Sequence, residues 1–206
     1  MQAHVMGIGE FIADRRTFII PVYQRNYDWK TKNCEQLFYD VEFIAKKDAE
    51  HFIGTFVYQH KPAAGNFQEF IIIDGQQRIT SVILFAKALY DLTDDEDLRE
   101  EIHPKFIKHD RGALKGKCKL RLSEYDRETF EKLMADSFDE NNFSADEKKS
   151  ALYLNYDFLH KKISESSFTH RKLHDAIYKL KVVSISLDNE KLFAHASRLR
   201  RTGDVL

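Results

Sequence analysis

One short stretch carries polar side chains that could bind a phosphate and act on it: Asp74, Gly75, Gln76, Gln77 and Arg78. Arg78 supplies a planar guanidinium whose geometry matches phosphate oxygens, and Gly75 lets a ligand approach the backbone. Asp74 is the one acid of the stretch, and we expect it to hold Mg²⁺ or to accept a proton from water. Gln76 and Gln77 donate and accept hydrogen bonds, so they could orient a ligand or a water molecule.

These side chains need a strand and a helix to position them, and the flanking residues predict both. The run Phe70–Ile73 is apolar and mostly β-branched, which predicts a strand buried on both faces. Asp74 and Gly75 favour a turn, because glycine accepts positive φ and aspartate can bond nearby backbone. A helix is predicted next, since apolar residues recur at spacings of three and four: Ile79, Val82, Ile83, Ala86, Leu89 and Tyr90.

The start of such a helix adds a further attraction for anions. Its first backbone N–H groups lack partners within the helix and carry a partial positive charge, so phosphate or carboxylate binds there readily. The other interpretation of the same stretch is an ordinary corner between a strand and a helix, with polar residues that are merely solvated. Residue types alone leave both interpretations open.

A second polar stretch, residues 21–29, is dense in aromatic rings and hydrogen-bonding groups. Its rings and its two polar side chains of interest are Tyr23, Tyr27, Trp29, Gln24 and Arg25. The rings can pin the loop onto a core, as large amphipathic side chains often do. They can also stack on a base while the amide and the guanidinium reach its polar edge or a phosphate.

Composition limits the possible functions. The chain has 206 residues, of which 43% are hydrophobic, enough for one full core or a core with an appended lobe. Its charges nearly cancel to a net -1, so no global basic excess indicates nucleic-acid binding. Cys34 and Cys118 lie far apart without CxxC spacing, which argues against a disulfide framework or a zinc site. With no basic-then-apolar leader and no membrane-length apolar run, we expect a cytoplasmic protein.

The rest of the chain predicts an organisation in two parts. Residues 1–92 contain both polar stretches, a helix over Thr31–Lys46, and two strands that we expect to pair as an antiparallel hairpin through a loop at residues 62–65. Residues 93–206 are predicted to be mostly helical, with a late strand at Val182–Leu187.

Three motifs occur in order along the chain: Pro21-Val22-Tyr23-Gln24-Arg25-Asn26-Tyr27-Asp28-Trp29, then His51-Phe52-Ile53-Gly54-Thr55, then Ile73-Asp74-Gly75-Gln76-Gln77-Arg78-Ile79-Thr80. Together they resemble the N-terminal domain family of GmrSD-type modification-dependent restriction proteins. The specific resemblance covers about residues 7–92. It implies an α+β fold with a ParB/sulfiredoxin-like core, that is, a small mixed sheet with helices followed by a mostly helical lobe.

The resemblance also implies a function and the residues that perform it. Such a domain is expected to bind and hydrolyse NTP and to regulate an anti-phage system that cuts modified foreign DNA. The implied catalytic residues are Asp74, Gln76, Gln77 and Arg78. The implied nucleotide-binding residues are Tyr23, Gln24, Arg25, Tyr27, Trp29, Gly75 and Thr80. NTP is the expected substrate, and Asp74 is the expected ligand of a Mg²⁺ cofactor.

The implied partners are a nucleotide, DNA in the full-length system, and a nuclease domain or subunit, with no membrane and with the oligomeric state left open. The alternative from another class is a DNA-binding or modified-DNA-sensing module that uses the same cleft without catalysis. A metal-dependent nuclease is a weaker alternative, because it would need more clustered acids than this stretch provides.

The C-terminal sequence departs from the family pattern. Family members continue after their last strand with a phenylalanine-rich helix start and an Asn-x-x-Gly turn that helps to complete the site. Here Leu192-Phe193-Ala194-His195 is followed by a different, arginine-rich sequence. We therefore expect a C-terminally truncated domain that does not cleave DNA by itself.

Overall fold

The computed structural model describes residues 2–12, 15–62 and 67–187, and within them the chain forms a mixed β-sheet. Its six strands are β1 (Gln2–Gly7), β2 (Arg16–Ile19), β3 (His51–Pro62), β4 (Gln68–Asp74), β5 (Leu120–Arg121) and β6 (Leu180–Leu187). Their spatial order is β1-β6-β3-β4-β2-β5. The predicted loop residues 63–65 and the C-terminal sequence 192–201 lie outside the described residues.

The pairing of the strands confirms the predicted α+β class. β3 and β4 pair antiparallel, as the predicted hairpin requires. β2 runs parallel to β4 and to β5. β6 lies between β1 and β3, antiparallel to the first and parallel to the second, so the late strand joins the same sheet. The division of the chain at residue 92 and the ParB/sulfiredoxin-like character of the core stay predictions.

The α-helices of the described ranges are α1 (Ile8–Ile12), α2 (Thr31–Lys47), α3 (Gln76–Leu92), α4 (Glu96–Ile102), α5 (Glu124–Leu133), α6 (Ala151–Ser164) and α7 (His170–Lys179). α3 is the central helix and packs against α6. Between Gln76 and Tyr90 every residue of α3 is buried except Arg78. A helix that is covered on nearly all sides belongs in the core, so the partial exposure of Arg78 sets it apart.

β4 corrects the expectation that its apolar run is buried on both faces. Phe70 and Ile72 are buried, whereas Ile71 and Ile73 are only half-buried. The cause is the alternation of side chains along a strand, which gives only one face of β4 to the core. On that face the ring of Phe70 packs edge-on against Phe18, at 5.6 Å between centroids.

Sequence patterns do not predict β1, because its residues are largely exposed and lack apolar alternation. The helix predicted from Thr31 is confirmed and ends at Lys47. Across residues 2–12, 15–62 and 67–187, no helix is both long enough and apolar enough to cross a membrane.

Candidate functional site

The corner between β4 and α3 is built around a glycine. Asp74 ends β4 with its side chain exposed, and Gly75 follows with a φ of +94°. A Cβ on residue 75 would stand 2.5 Å from Cδ1 of Phe56, closer than real side-chain contacts allow. Both the positive φ and the neighbouring ring therefore require glycine here. The corner fixes how the start of α3 meets the end of β4.

The first turn of α3 presents backbone N–H groups that no side chain caps in the described part of the chain. These groups belong to Gln76, Gln77 and Arg78, and Gly75 at the cap position has no side chain with which to bond them. N–H groups at a helix start carry a partial positive charge and favour an anion. An uncapped helix start of this kind is what the anion-binding interpretation of the sequence requires.

Arg78 adds a full positive charge beside these N–H groups. Its guanidinium lies against Gly54 of β3, where a Cβ would stand 2.8 Å from both Cζ and Nε of Arg78. Nη1 of Arg78 donates a hydrogen bond to the carbonyl oxygen of Thr55 at 3.3 Å. Among the described residues this partner is a neutral carbonyl, so no ion pair neutralises the guanidinium there. A half-buried, uncompensated cation attracts an anionic ligand.

The aromatic loop, residues 21–29, is tied to this corner by two amide side chains. Nε2 of Gln24 donates to the carbonyl oxygen of Ile73 at 2.8 Å. Nε2 of Gln76 donates to the carbonyl oxygen of Arg25 at 3.0 Å. These bonds connect the loop to the end of β4 and to the start of α3. The structure thus brings together the two stretches that sequence reasoning singled out.

Gln77 holds the same loop with both the oxygen and the nitrogen of its side-chain amide. Its Oε1 accepts hydrogen bonds from the backbone N–H of Asp28 at 2.9 Å and of Trp29 at 3.2 Å. Its Nε2 donates to the carbonyl oxygen of Asn26 at 3.0 Å. Gln77 is 6% exposed, so these bonds are made out of contact with water. Gln77 therefore holds the backbone of the loop in place.

A cleft of about 140 Å³ lies between the loop and the corner. The predicted site residues that line it are Gln24, Arg25, Trp29, Asp74, Gly75, Gln76, Gln77 and Arg78. Oε1 of Gln76 is buried and has no hydrogen-bond partner within the described residues. A buried acceptor without a partner costs free energy, so this oxygen suits a donor such as a water molecule bound in the site.

Three of the predicted nucleotide-binding residues do not line this cleft. Tyr23 is 71% exposed and stands at the outer part of the loop. Thr80 is buried, and its hydroxyl donates to the carbonyl oxygen of Gln76 at 2.8 Å. Tyr27 is also buried, at 7% exposure. Their assignment to nucleotide binding stays a prediction.

Tyr27 is the centre of a hydrogen-bond network that anchors the loop. Its hydroxyl bonds to Oγ of Ser81 at 2.7 Å and accepts from Nδ2 of Asn155 at 3.2 Å. Its backbone N–H donates to Oδ2 of Asp126 at 2.7 Å. Nδ2 of Asn155 also donates to the carbonyl oxygen of Trp29 at 2.7 Å. Burial raises the pKa of the Tyr27 hydroxyl well above its ordinary value, and it raises the pKa of the Asp126 carboxyl as well.

Asp126 and Asn155 are the anchoring residues that sequence reasoning missed. The sequence could have indicated Asn155, because it is a polar residue on the buried face of α6. Its neighbours on that face, Leu152 and Leu159, are apolar. The sequence does not indicate Asp126, because an acid in the first turn of a helix is common for reasons unrelated to a site.

A Mg²⁺ site fits this corner only with help from a ligand. Asp74 is exposed at the cleft, and no group of three or more metal-binding side chains occurs among the described residues. Mg²⁺ commonly binds through one or two carboxylates together with substrate phosphates and water. Asp74 therefore suits a metal ion that arrives with a phosphorylated ligand.

The comparison with protein families supplies an independent finding. A family model described as the GmrSD restriction endonuclease N-terminal domain matches residues 8–199. The match extends well beyond the motif-bearing region at residues 7–92 and identifies a module of a restriction, anti-phage protein. A search of curated proteins found no match.

Proposed function

Because the chain belongs to the family of GmrSD restriction endonuclease N-terminal domains, we propose that its cleft binds and hydrolyses an NTP. In this proposal the domain regulates a restriction system whose further partners are DNA and a nuclease domain or subunit. The observation that carries the proposal is the guanidinium of Arg78, which has no carboxylate partner among the described residues and stands beside the uncapped first turn of α3.

Phosphate oxygens suit this combination of charges and donors. Arg78 offers parallel N–H donors, and the first turn of α3 adds its own N–H groups. Arg25 lines the same cleft with a side chain that is 66% exposed and pairs with Asp28 at 3.2 Å. Exposed ion pairs of this kind contribute little free energy, so Arg25 can exchange Asp28 for a phosphate.

Hydrolysis requires that the oxygen of a water molecule bonds to the γ-phosphorus while the bond from that phosphorus to its bridging oxygen breaks. The products are NDP and inorganic phosphate. In the proposed mechanism the unpartnered Oε1 of Gln76 accepts a hydrogen bond from the attacking water and orients it. Asp74 accepts the proton of that water. Where Asp74 instead holds Mg²⁺, the proton passes to an oxygen of the transferred phosphate, and the bound ion would neutralise charge on the phosphates.

Gln77 takes a positioning role in this proposal. Its three bonds to the loop backbone use both acceptor positions of the amide oxygen and one N–H of the amide nitrogen, and they hold Trp29 at the wall of the cleft. Gln24 acts in the same way through its bond to Ile73. The loop is thereby kept in place before the ligand binds, which lowers the entropic cost of binding.

The test is phosphate release by the purified chain with each of the four NTPs, in Mg²⁺ and in EDTA. We expect Mg²⁺-dependent release that Arg78→Ala and Asp74→Asn abolish. Arg111→Ala is the matched control, because that arginine is exposed, pairs with Asp110 and does not line the cleft. A folded protein that neither binds NTP nor releases phosphate would contradict the proposal.

The outer part of the loop favours a second candidate function, a DNA-binding or modified-DNA-sensing module. Val22 and Tyr23 are 80% and 71% exposed, although both are large apolar or aromatic side chains. An exposed ring on the loop whose Arg25 lines the cleft suits contact with bases and the phosphate backbone. Duplex affinity that falls steeply with salt, and that NTP does not compete away, would favour this candidate over the NTPase.

A further inference from the structure

A second cavity, of about 250 Å³, adjoins the phosphate cleft. Trp29 and Arg78 line both cavities, so they form the wall between them. Together the two volumes fall within the range of about 300–1,000 Å³ that is usual for ligand pockets. The phosphate cleft alone is smaller than this range.

The second cavity has an aromatic and apolar side. Phe52 of β3 lines it and is 52% exposed, so its ring is accessible to a ligand in the cavity. Leu37 of α2 and Ile53 of β3 add aliphatic surface. Trp29 supplies a second ring at the wall that the cavity shares with the cleft. Such a surface suits a flat aromatic group, which gains both burial and stacking.

The polar part of the cavity lining comes from α2, whose Asn33, Gln36 and Asp40 line it on the same helix face as Leu37. Nε2 of Gln36 donates to Oδ1 of Asp40 at 2.7 Å, and Oδ1 of Asn33 accepts from the backbone N–H of Lys30 at 3.0 Å. The remaining amide atoms, Oε1 of Gln36 and Nδ2 of Asn33, have no partner within the described residues and can bond a ligand. An acceptor and a donor on one face are what the edge of a nucleobase requires.

We propose that this second cavity receives the nucleoside part of the NTP whose phosphates occupy the adjoining cleft. The base stacks on Phe52 and Trp29, and its hydrogen-bonding edge meets Gln36 and Asn33. Arg78, at the shared wall, is placed to contact the phosphates next to the nucleoside. This inference rests on the proposed function, because it takes for granted that the cleft binds phosphates.

The experiment compares two ligands with Mg²⁺ present, a non-hydrolysable NTP analogue and inorganic tripolyphosphate, and follows the fluorescence of Trp29, the chain's single tryptophan. We expect the NTP to bind about tenfold more tightly than tripolyphosphate, because stacking of a base adds binding free energy. We expect Phe52→Ala to remove this difference and to leave tripolyphosphate affinity unchanged. Gln36→Ala is expected to change the order of preference among the four NTPs.

Tyr39→Ala is the control, because this ring on α2 is 48% exposed but faces Lys162 rather than the cavity. It should bind both ligands as the wild type does. Equal affinity of the wild type for NTP and tripolyphosphate, or unchanged NTP affinity in Phe52→Ala, overturns the nucleoside cavity and leaves the phosphate cleft intact. Failure of the folded wild type to bind either ligand overturns the proposed function and this inference with it.

Discussion

The guanidinium of Arg78 packs against the backbone of Gly54, so closely that a Cβ on residue 54 would stand 2.8 Å from its Cζ. Gly54 also has a φ of +119°, which residues with a side chain rarely adopt. β3 therefore carries a glycine at the point where the arginine of α3 meets it. The contact fixes the guanidinium at the wall that the two cavities share.

Substitution of Gly54 should weaken ligand binding as well as stability. Gly54→Ala places a methyl group into the guanidinium and strains the backbone, so we expect a loss of more than about 1 kcal/mol in the free energy of unfolding. We also expect about tenfold weaker NTP binding, measured by equilibrium dialysis.

Gly116→Ala is the matched control, because Gly116 has a φ of +78° with nothing within 4 Å of its Cβ position. It should lose stability and keep NTP affinity. Equal NTP affinity of the two variants would contradict the role given to the contact.

The two glutamines of the corner should differ in what they contribute. Gln77→Ala leaves two N–H groups and one carbonyl of the loop without partners, so we expect a loss of about 2–4 kcal/mol in the free energy of unfolding. Gln76→Ala removes one bond to the loop and should cost about 1 kcal/mol. Urea titration measures both losses. Phosphate release separates them further, because Gln76→Ala should stay folded and lose hydrolysis. The reverse order of stabilities would refute this division of roles.

The hydroxyl of Tyr27 should be worth more to stability than that of Tyr23. Tyr27→Phe removes the bonds to Ser81 and Asn155 inside the protein, so we expect a loss of about 1–2 kcal/mol in the free energy of unfolding. Tyr23→Phe changes a ring that is 71% exposed and should leave stability unchanged. Thermal unfolding of both variants gives the comparison. Equal melting temperatures for the two variants would show that the network does not anchor the loop.

His109 should make stability depend on pH. Its ring is buried and bonds through Nε2 to Oγ1 of Thr17 at 2.9 Å. Burial, with a smaller contribution from the charge of Lys119, lowers its pKa from 6.5 to about 4. The folded-state pKa lies below the unfolded value, so the folded state favours the neutral ring. The contribution of this neutral ring to the free energy of unfolding is fully present above pH 6.5 and is lost as the pH falls through 4.

We therefore expect the free energy of unfolding to fall by about 2 kcal/mol between about pH 7.5 and about pH 5 on account of His109. Urea titrations at the two pH values measure the fall. His109→Gln has no titrating ring at this position, so its stability should fall by less over the same interval. An identical fall in the wild type and in this variant would assign the pH dependence to other groups.

Much of the fold can be predicted from the sequence because its patterns are local. The apolar run before Asp74, the turn at Gly75 and the spacing of apolar residues after it are enough to place β4 and α3. β1 cannot be predicted in this way, because it is an edge strand whose exposed residues follow no apolar pattern. The position of β6 between β1 and β3 depends on contacts distant in sequence, which local patterns do not encode.

The candidate site, like the fold, has parts that the sequence predicts and parts that it does not. Residue types alone leave an anion site at Arg78 and an ordinary solvated corner both open, and they do not separate a ligand-binding amide from one that holds a loop. The two kinds of amide differ in which distant backbone atoms lie near them. Oε1 of Gln77 accepts hydrogen bonds from the backbone of Asp28 and Trp29, whereas Oε1 of Gln76 has no partner among the described residues. Asn155 anchors the loop from α6, which lies far along the chain. The sequence indicates this role only by placing a polar residue on the apolar face of that helix.

The central claim is that the corner at Arg78 binds the phosphates of an NTP, and equilibrium dialysis of a labelled, non-hydrolysable NTP analogue in the presence of Mg²⁺ tests it most directly. We expect saturable binding by the wild type and by Arg111→Ala, and loss of that binding in folded Arg78→Ala. Binding by Arg78→Ala at wild-type affinity would contradict the claim.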